Sequence, residues 1–246
     1  NHFDAVHDCF PLLARVIKDE SDEELKVPAI SFMGRFSTGN ADAVKLLKCL
    51  LNDSPLDAIR GESAWALGSV ATSDKEVYQT LRSLLLDSGE SAEVRRNAAF
   101  ALAAVITEDS NLLYAVLRLA NRELPKNLRM AAIHALRKCI QPYPHVREAF
   151  LDWANGGGTE ARVACQILAR GLAEGEIAWD RSLSLHVEVV LRRIGSEDGL
   201  GEPCSHVLSA LTTLVESRES RGGISLQETL QNAFGSIQDR LKFCFI

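Results

Sequence analysis

Apolar residues recur along this chain at helical spacing, and the phrase they compose recurs as well. Ile59-Arg60 is followed by Ser63-Ala64 and Ala66-Leu67. Val94-Arg95 is followed by Ala98-Ala99 and Ala101-Leu102, and Leu128-Arg129 by Ala132-Ile133 and Ala135-Leu136. The three arginines stand 35 and 34 residues apart. A weaker copy precedes them at Lys26 with Ala29, Ile30 and Met33, and another follows at Arg162 with Cys165 and Leu168. A fixed period in this range marks stacked helical units that bury their apolar faces against one another.

Each period holds two apolar-periodic segments separated by a turn signal. The first helices are predicted at about Phe3–Ile17, Ala41–Leu51, Lys75–Leu86, Asn111–Asn121, His145–Ala154 and Arg181–Ile194. The second helices are predicted at about Glu23–Phe36, Pro55–Ala71, Ala92–Thr107, Lys126–Cys139, Thr159–Leu172 and Pro203–Glu216. Ser21-Asp22, Ser73-Asp74 and Asp109-Ser110 offer capping oxygens, and Ser54-Pro55 and Leu124-Pro125 place proline near a first turn. No segment alternates strictly between apolar and polar, so no half-buried strand is expected. After about Leu172 the spacing stretches, and a last helix at about Leu226–Phe243 reads as a cap on the open end of the stack. The expected fold is all-α: an α-α superhelix of about six hairpins plus a C-terminal capping helix, in one domain spanning 1–246. Its regular repeats cover about 1–172 and its divergent part about 173–246.

Advancing 100° per residue from each arginine gathers the residue before it and those three, four, seven and ten after it into one apolar sector. The arginine lies at the edge of that sector. It is expected to bond a carboxylate or a helix C-terminus of the next repeat rather than a ligand. The fifth residue after each anchor points the opposite way: Ser31, Trp65, Phe100, His134 and Ile167. A solvated helix prefers Glu or Lys there, yet three of the five are large and apolar. Trp65, Phe100 and His134 would form a row, one per repeat, of the kind that marks an interaction site. Arg35, Arg96, Asn97, Arg137 and Lys138 fall near the same sector, with Glu62 as the acidic exception. The expected partner is a protein or peptide carrying both apolar and acidic groups. Intrachain packing over the aromatics is the competing expectation.

The repeated phrase resembles the second helix of HEAT repeats, in which Asp or Glu precedes Val-Arg, Ala-Ala and Ala-Leu. Glu93 through Leu102 matches best and Asp57 through Leu67 next, with the resemblance covering about Glu23 to Leu172. The period is shorter than the 40–47 residues typical of HEAT units and equals the tetratricopeptide length. The first helices lack the Trp, Leu-Gly and Tyr signature of tetratricopeptides, so short HEAT-like units fit better. The resemblance implies a right-handed superhelix with the second helices on its concave side.

Composition narrows the chemistry. The chain has 246 residues, 46% of them hydrophobic, and a net charge of −6, which argues against a general nucleic-acid binder. No apolar run reaches the roughly 20 residues that span a bilayer. Asn1-His2-Phe3-Asp4 is neither a start methionine nor a basic leader, so a signal peptide is absent or already removed, and a piece of a longer protein stays open. The six cysteines are scattered without a CxxC pair and read as reduced, mostly buried thiols of a cytoplasmic protein.

No catalytic, metal-binding or cofactor-binding residue is expected. HEAT-like di-iron hydroxylases use His-Glu pairs, and the chain has no such dipeptide. Gly156 to Gly158 lacks the Lys-Ser/Thr of a phosphate loop. His186 and Glu188 stand on different faces of a helix. HEAT-like DNA glycosylases pair cations with aromatics on a concave face, which keeps nucleic-acid binding as the alternative function. A structural or regulatory arm of a larger protein is a further one. The expected function is a protein-interaction scaffold that docks a partner along its concave face.

Overall fold

A computed structural model describes residues 2–19, 23–121, 123–156, 158–173 and 176–177. Among these, every regular element is a helix: α1 (His2–Asp19), α2 (Glu23–Gly34), α3 (Ala41–Asp53), α4 (Asp57–Leu67), α5 (Lys75–Leu86), α6 (Ala92–Leu102), α7 (Ser110–Leu119), α8 (Lys126–Ala135), α9 (Pro144–Asn155) and α10 (Gly158–Ala173). The expected helices at 181–194, 203–216 and 226–243 lie outside the described residues. The chain divides into two compact units, 1–136 and 137–246.

In the first unit the helices form an all-α repeat of two layers. Each odd-numbered helix pairs with the even-numbered helix that follows it, and α2, α4, α6 and α8 pack side by side. The predicted apolar sector is the core. Ile59, Val94 and Leu128 before the anchors are buried, as are Ala64, Ala99 and Ile133, then Leu67, Leu102 and Leu136, then Val70 and Val105. In the second unit α9 packs on α10, with Val146, Phe150, Ala161 and Ala164 buried.

Small residues set how closely the second helices approach. A Cβ added at Gly34 would lie 2.8 Å from both Cα and Cβ of Ala66, and one at Gly68 would lie 2.7 Å from the Ala101 Cα. These are equivalent positions one repeat apart, so α2 meets α4 as α4 meets α6. Ser37 and Ser69 reinforce the first contact. Their hydroxyls are hydrogen-bonded to one another at 2.5 Å, and both lie within bonding distance of the Gly34 carbonyl, which the hydroxyl not donating to its neighbour can reach.

The expected second helices were too long. The α-helix stops at Leu67, Leu102 and Ala135, and 3₁₀ turns follow at Gly68–Val70, Ile106–Glu108 and Leu136–Cys139. Tightening the last turn satisfies carbonyls left without an i+4 partner. It also leaves Val70, Ile106 and Cys139 buried. Pro55 precedes its helix by two residues; Ser54 caps the end of α3 instead, its hydroxyl accepting from the Leu56 amide. Asp74 and Asp109 cap α5 and α7 as expected, and Asn40 and Ser91 cap α3 and α6.

The two capping aspartates have a second task. Lys48 of α3 reaches Asp74 at 3.4 Å and Glu76 at 2.8 Å, and Arg82 of α5 approaches Asp109 at 3.8 Å. Each of these first helices thus holds the N-terminus of the next one through a cation. The Tyr78 hydroxyl also donates to Asp109. Burial first and this bond second push the phenol up to about 12.

Arg60, Arg95 and Arg129 are structural: Arg60 meets a carboxylate of the next repeat as expected, while the helix C-termini that Arg60 and Arg95 reach belong to their own repeats. Arg60 Nε donates to the Leu51 carbonyl at 3.1 Å and Arg95 Nε to the Leu85 carbonyl at 3.1 Å. Both carbonyls end the first helix of the arginine's own repeat, where orphan acceptors and the negative end of the helix dipole attract a cation. Arg129 donates to the Leu124 carbonyl in the loop before α8. Arg60 also reaches forward, holding the Glu90 carboxylate with both terminal nitrogens.

Candidate functional site

The site is the outward face of α2, α4, α6 and α8 in the first unit. Trp65 is 41% and Phe100 36% exposed, although the residues on either side of each, Ala64, Ala66, Ala99 and Ala101, are buried. His134 is exposed in the equivalent place on α8. The Phe100 and His134 ring centroids lie 6.2 Å apart with planes tilted by 41°. The row therefore exists, and packing within the first unit leaves Trp65 and Phe100 open. Large apolar rings on the solvent side of a regular repeat lose free energy by their exposure, unless something covers them.

The other sequence-derived candidates separate. Arg35 is exposed just after α2, with its guanidinium 5.8 Å from the Phe32 ring centroid. Arg96 is half-exposed, its Nε donating to Asn97 Oδ1 at 3.2 Å and its terminal nitrogen 3.5 Å from Glu93. Asn97 corrects the expectation: it is buried and packs over Gly61, where a Cβ would come within 2.7 Å of its amide nitrogen. It fills the gap that Gly61 leaves between α4 and α6 and cannot be a surface contact. Ile167, expected to point outward on α10, is buried too. Arg137 and Lys138 belong to the second unit, where Arg137 pairs with Glu176 at 3.2 Å and Lys138 is exposed. Ser31 is half-buried, and its hydroxyl acts on the Glu62 carboxyl.

Two residues matter more here than their sequence pattern suggested. Glu62 sits one helical turn before Trp65 on the same face. Burial holds its carboxyl above the usual range and Glu93 adds to that, against the Ser31 bond and the Arg96 charge, which lower it. Phe32 is 40% exposed and stacks edge-on against Phe36 with centroids 4.9 Å apart. It occupies the slot that α4, α6 and α8 fill with Ala66, Ala101 and Ala135. Ala66 and Ala101 receive the preceding second helix at Gly34 and Gly68, whereas among the described residues no second helix precedes α2. A phenylalanine in an alanine slot was the available signal.

The opposite layer carries an open cleft of about 750 Å³ between α3 and α5, lined by Lys45, Lys48, Cys49, Asp53, Asp74 and Glu76. Lys48 is already committed to both acids there. Cys49 is exposed at its rim, unlike the buried Cys139 and Cys165, and burial pushes the Cys139 thiol up to about 11. No group of three or more His, Cys, Asp or Glu side chains with metal-binding geometry occurs among the described residues. No described helix is long and apolar enough to cross a membrane.

Comparison with known proteins adds little to this geometry. No family model matches the chain, and no curated protein matches it in sequence. Among solved structures it is similar to an engineered protein (18% identity, 85% of this chain and 97% of the other, TM-score 0.43). It is also similar to a designed armadillo repeat protein (16% identity, 92% and 99%, TM-score 0.32). A second designed armadillo repeat protein, in complex with a (KR)4 peptide, gives 17% identity, 92% and 98%, and a TM-score of 0.33. At such scores these likenesses carry nothing about what the present chain binds.

Proposed function

We propose that this chain is a HEAT-like helical-repeat scaffold that docks an extended segment of a partner protein across its second-helix face. The observation that carries the reading is the register of the row: Trp65, Phe100 and His134 recur once per repeat on stacked helices, exposed between buried neighbours. A rigid layer with one side chain per repeat lets affinity accumulate along an extended ligand. Trp65 and Phe100 act as apolar anchors whose desolvation supplies most of the binding free energy. The chain works as a binding module rather than an enzyme, and the buried single thiols Cys139 and Cys165 suit the reducing cytoplasm.

The nucleic-acid alternative needs a face of available cations. Arg96 pairs with Glu93, and Arg137 is engaged by Glu176. Duplex DNA should therefore not be retained at about 50 mM salt; retention that falls steeply as salt rises would displace the scaffold reading. The positive test is the Trp65→Ala/Phe100→Ala variant. Both side chains are exposed, so it should keep its helical circular dichroism while losing the partner that the unaltered chain captures. Unfolding of the variant, or capture that is unchanged, would sink the assignment.

A further inference from the structure

We propose that the stretch between Trp65 and Phe100 takes a cationic side chain, Lys or Arg, of the partner segment. This rests on the scaffold reading and replaces the acidic partner that the sequence suggested with a basic one.

The local charge balance favours a cation. Glu93 pairs with Arg96 at 3.5 Å about one turn before Phe100, and Glu62, one turn before Trp65 on the neighbouring helix, feels both charges. The Arg96 charge is already divided, because its Nε is held by Asn97 Oδ1 and a terminal nitrogen lies by Glu93. An incoming acidic group would meet two carboxylates and one spoken-for cation. An incoming cation would meet one net negative charge on a half-buried site, where screening by solvent is weaker than on the open surface.

The rings suit the same occupant. Trp65 and Phe100 hold equivalent positions on the adjacent helices α4 and α6, and both are exposed. Indole and phenyl faces attract cations electrostatically, and the indole does so most strongly. Glu62, one turn before Trp65 on the same face of α4, supplies the counter-charge.

The test uses the full chain and two fluorescein-labelled peptides of equal length, one alternating Arg and Ala and the other Glu and Ala, at about 100 mM salt. Fluorescence anisotropy should show the Arg peptide binding and the Glu peptide not. Glu62→Gln should weaken the Arg peptide about five- to tenfold, and Trp65→Ala/Phe100→Ala more, while Glu108→Gln, at an exposed acid away from the rings, changes little. Glu93→Gln provides a second carboxylate variant should Glu62→Gln lose its helical circular dichroism. Arg-peptide binding indifferent to Trp65 and Phe100 would be general attraction to an acidic chain, and would overturn the proposal. So would tighter binding of the Glu peptide, or no Arg-peptide binding at all. In the Glu-peptide case, dependence on Trp65 and Phe100 would leave the scaffold reading standing. Partner capture indifferent to those two residues would remove the scaffold reading itself.

Discussion

Gly68→Ala should destabilise the protein, and the sign of the effect is diagnostic. Gly68 lies at φ −58°, an ordinary right-handed conformation that alanine adopts freely. Seen from the local backbone alone, the substitution restricts the unfolded chain and should stabilise by about 0.4–1 kcal/mol. Packing runs the other way. The new Cβ would stand 2.7 Å from the Ala101 Cα and 3.0 Å from its Cβ and carbonyl oxygen. These are backbone and near-backbone atoms that no rotamer change can move aside, so α4 and α6 must separate. Overpacking of this kind costs about 1–3 kcal/mol, which outweighs the local gain. The net loss of about 1–2 kcal/mol corresponds to a fall of about 2–8 °C in Tm for a chain of this size. Urea unfolding followed by circular dichroism measures it, with the m-value checking that the transition stays comparable. A midpoint equal to or above that of the unaltered chain would refute the claim that backbone contact sets the spacing of the second layer. The same outcome is expected at Gly34, where the Ala66 backbone stands 2.8 Å away.

Arg60→Lys should cost about 1–3 kcal/mol in urea unfolding, because lysine keeps the charge but cannot bond Leu51 and both Glu90 oxygens together. Tyr78→Phe should lose about 1 kcal/mol by removing the donor to Asp109. Stability should also fall in acid. The Asp74 carboxyl is held low by the Val77 amide and by Lys48, and that of Asp109 by Tyr78 and backbone amides. For Glu90 burial raises the value, and the bonds from Arg60 and the Ser91 amide more than offset it. Groups with lowered folded values contribute stability above the ordinary carboxylate range and lose it as pH falls through the folded values. Tm measured from pH 7 down to about 3 should therefore drop, and less so in Asp109→Asn. Glu62 has the opposite sign: its charged form is disfavoured in the fold, so Glu62→Gln should hold or raise Tm at about pH 7, and a clear loss would contradict the burial ascribed to it.

Much of the architecture is legible because the repeat restates one constraint several times. The phrase around Arg60, Arg95 and Arg129 places each buried group by spacing alone, and the exposed fifth position follows from the same wheel. Three features were not legible. Asn97 sits near the outward sector by angle, yet Gly61 on the neighbouring helix leaves a space that its amide fills. Ile167 has the angle of Trp65 but lies buried on α10 of the second unit. The anchor arginines turn back to Leu51 and Leu85 because the end of the helix just before them presents the nearest orphan carbonyls.

The helical period, the inward sector and the outward aromatic positions were determined by the sequence itself, since a helix converts residue spacing into angle without reference to anything else. Which charges remain available to a partner was decided by tertiary structure alone. Arg96, Glu93 and Glu62 are a cation and two anions of similar promise along the chain. Only the packing of α4 against α6 brings the Glu93–Arg96 pair beside the helix that carries Glu62 and Trp65.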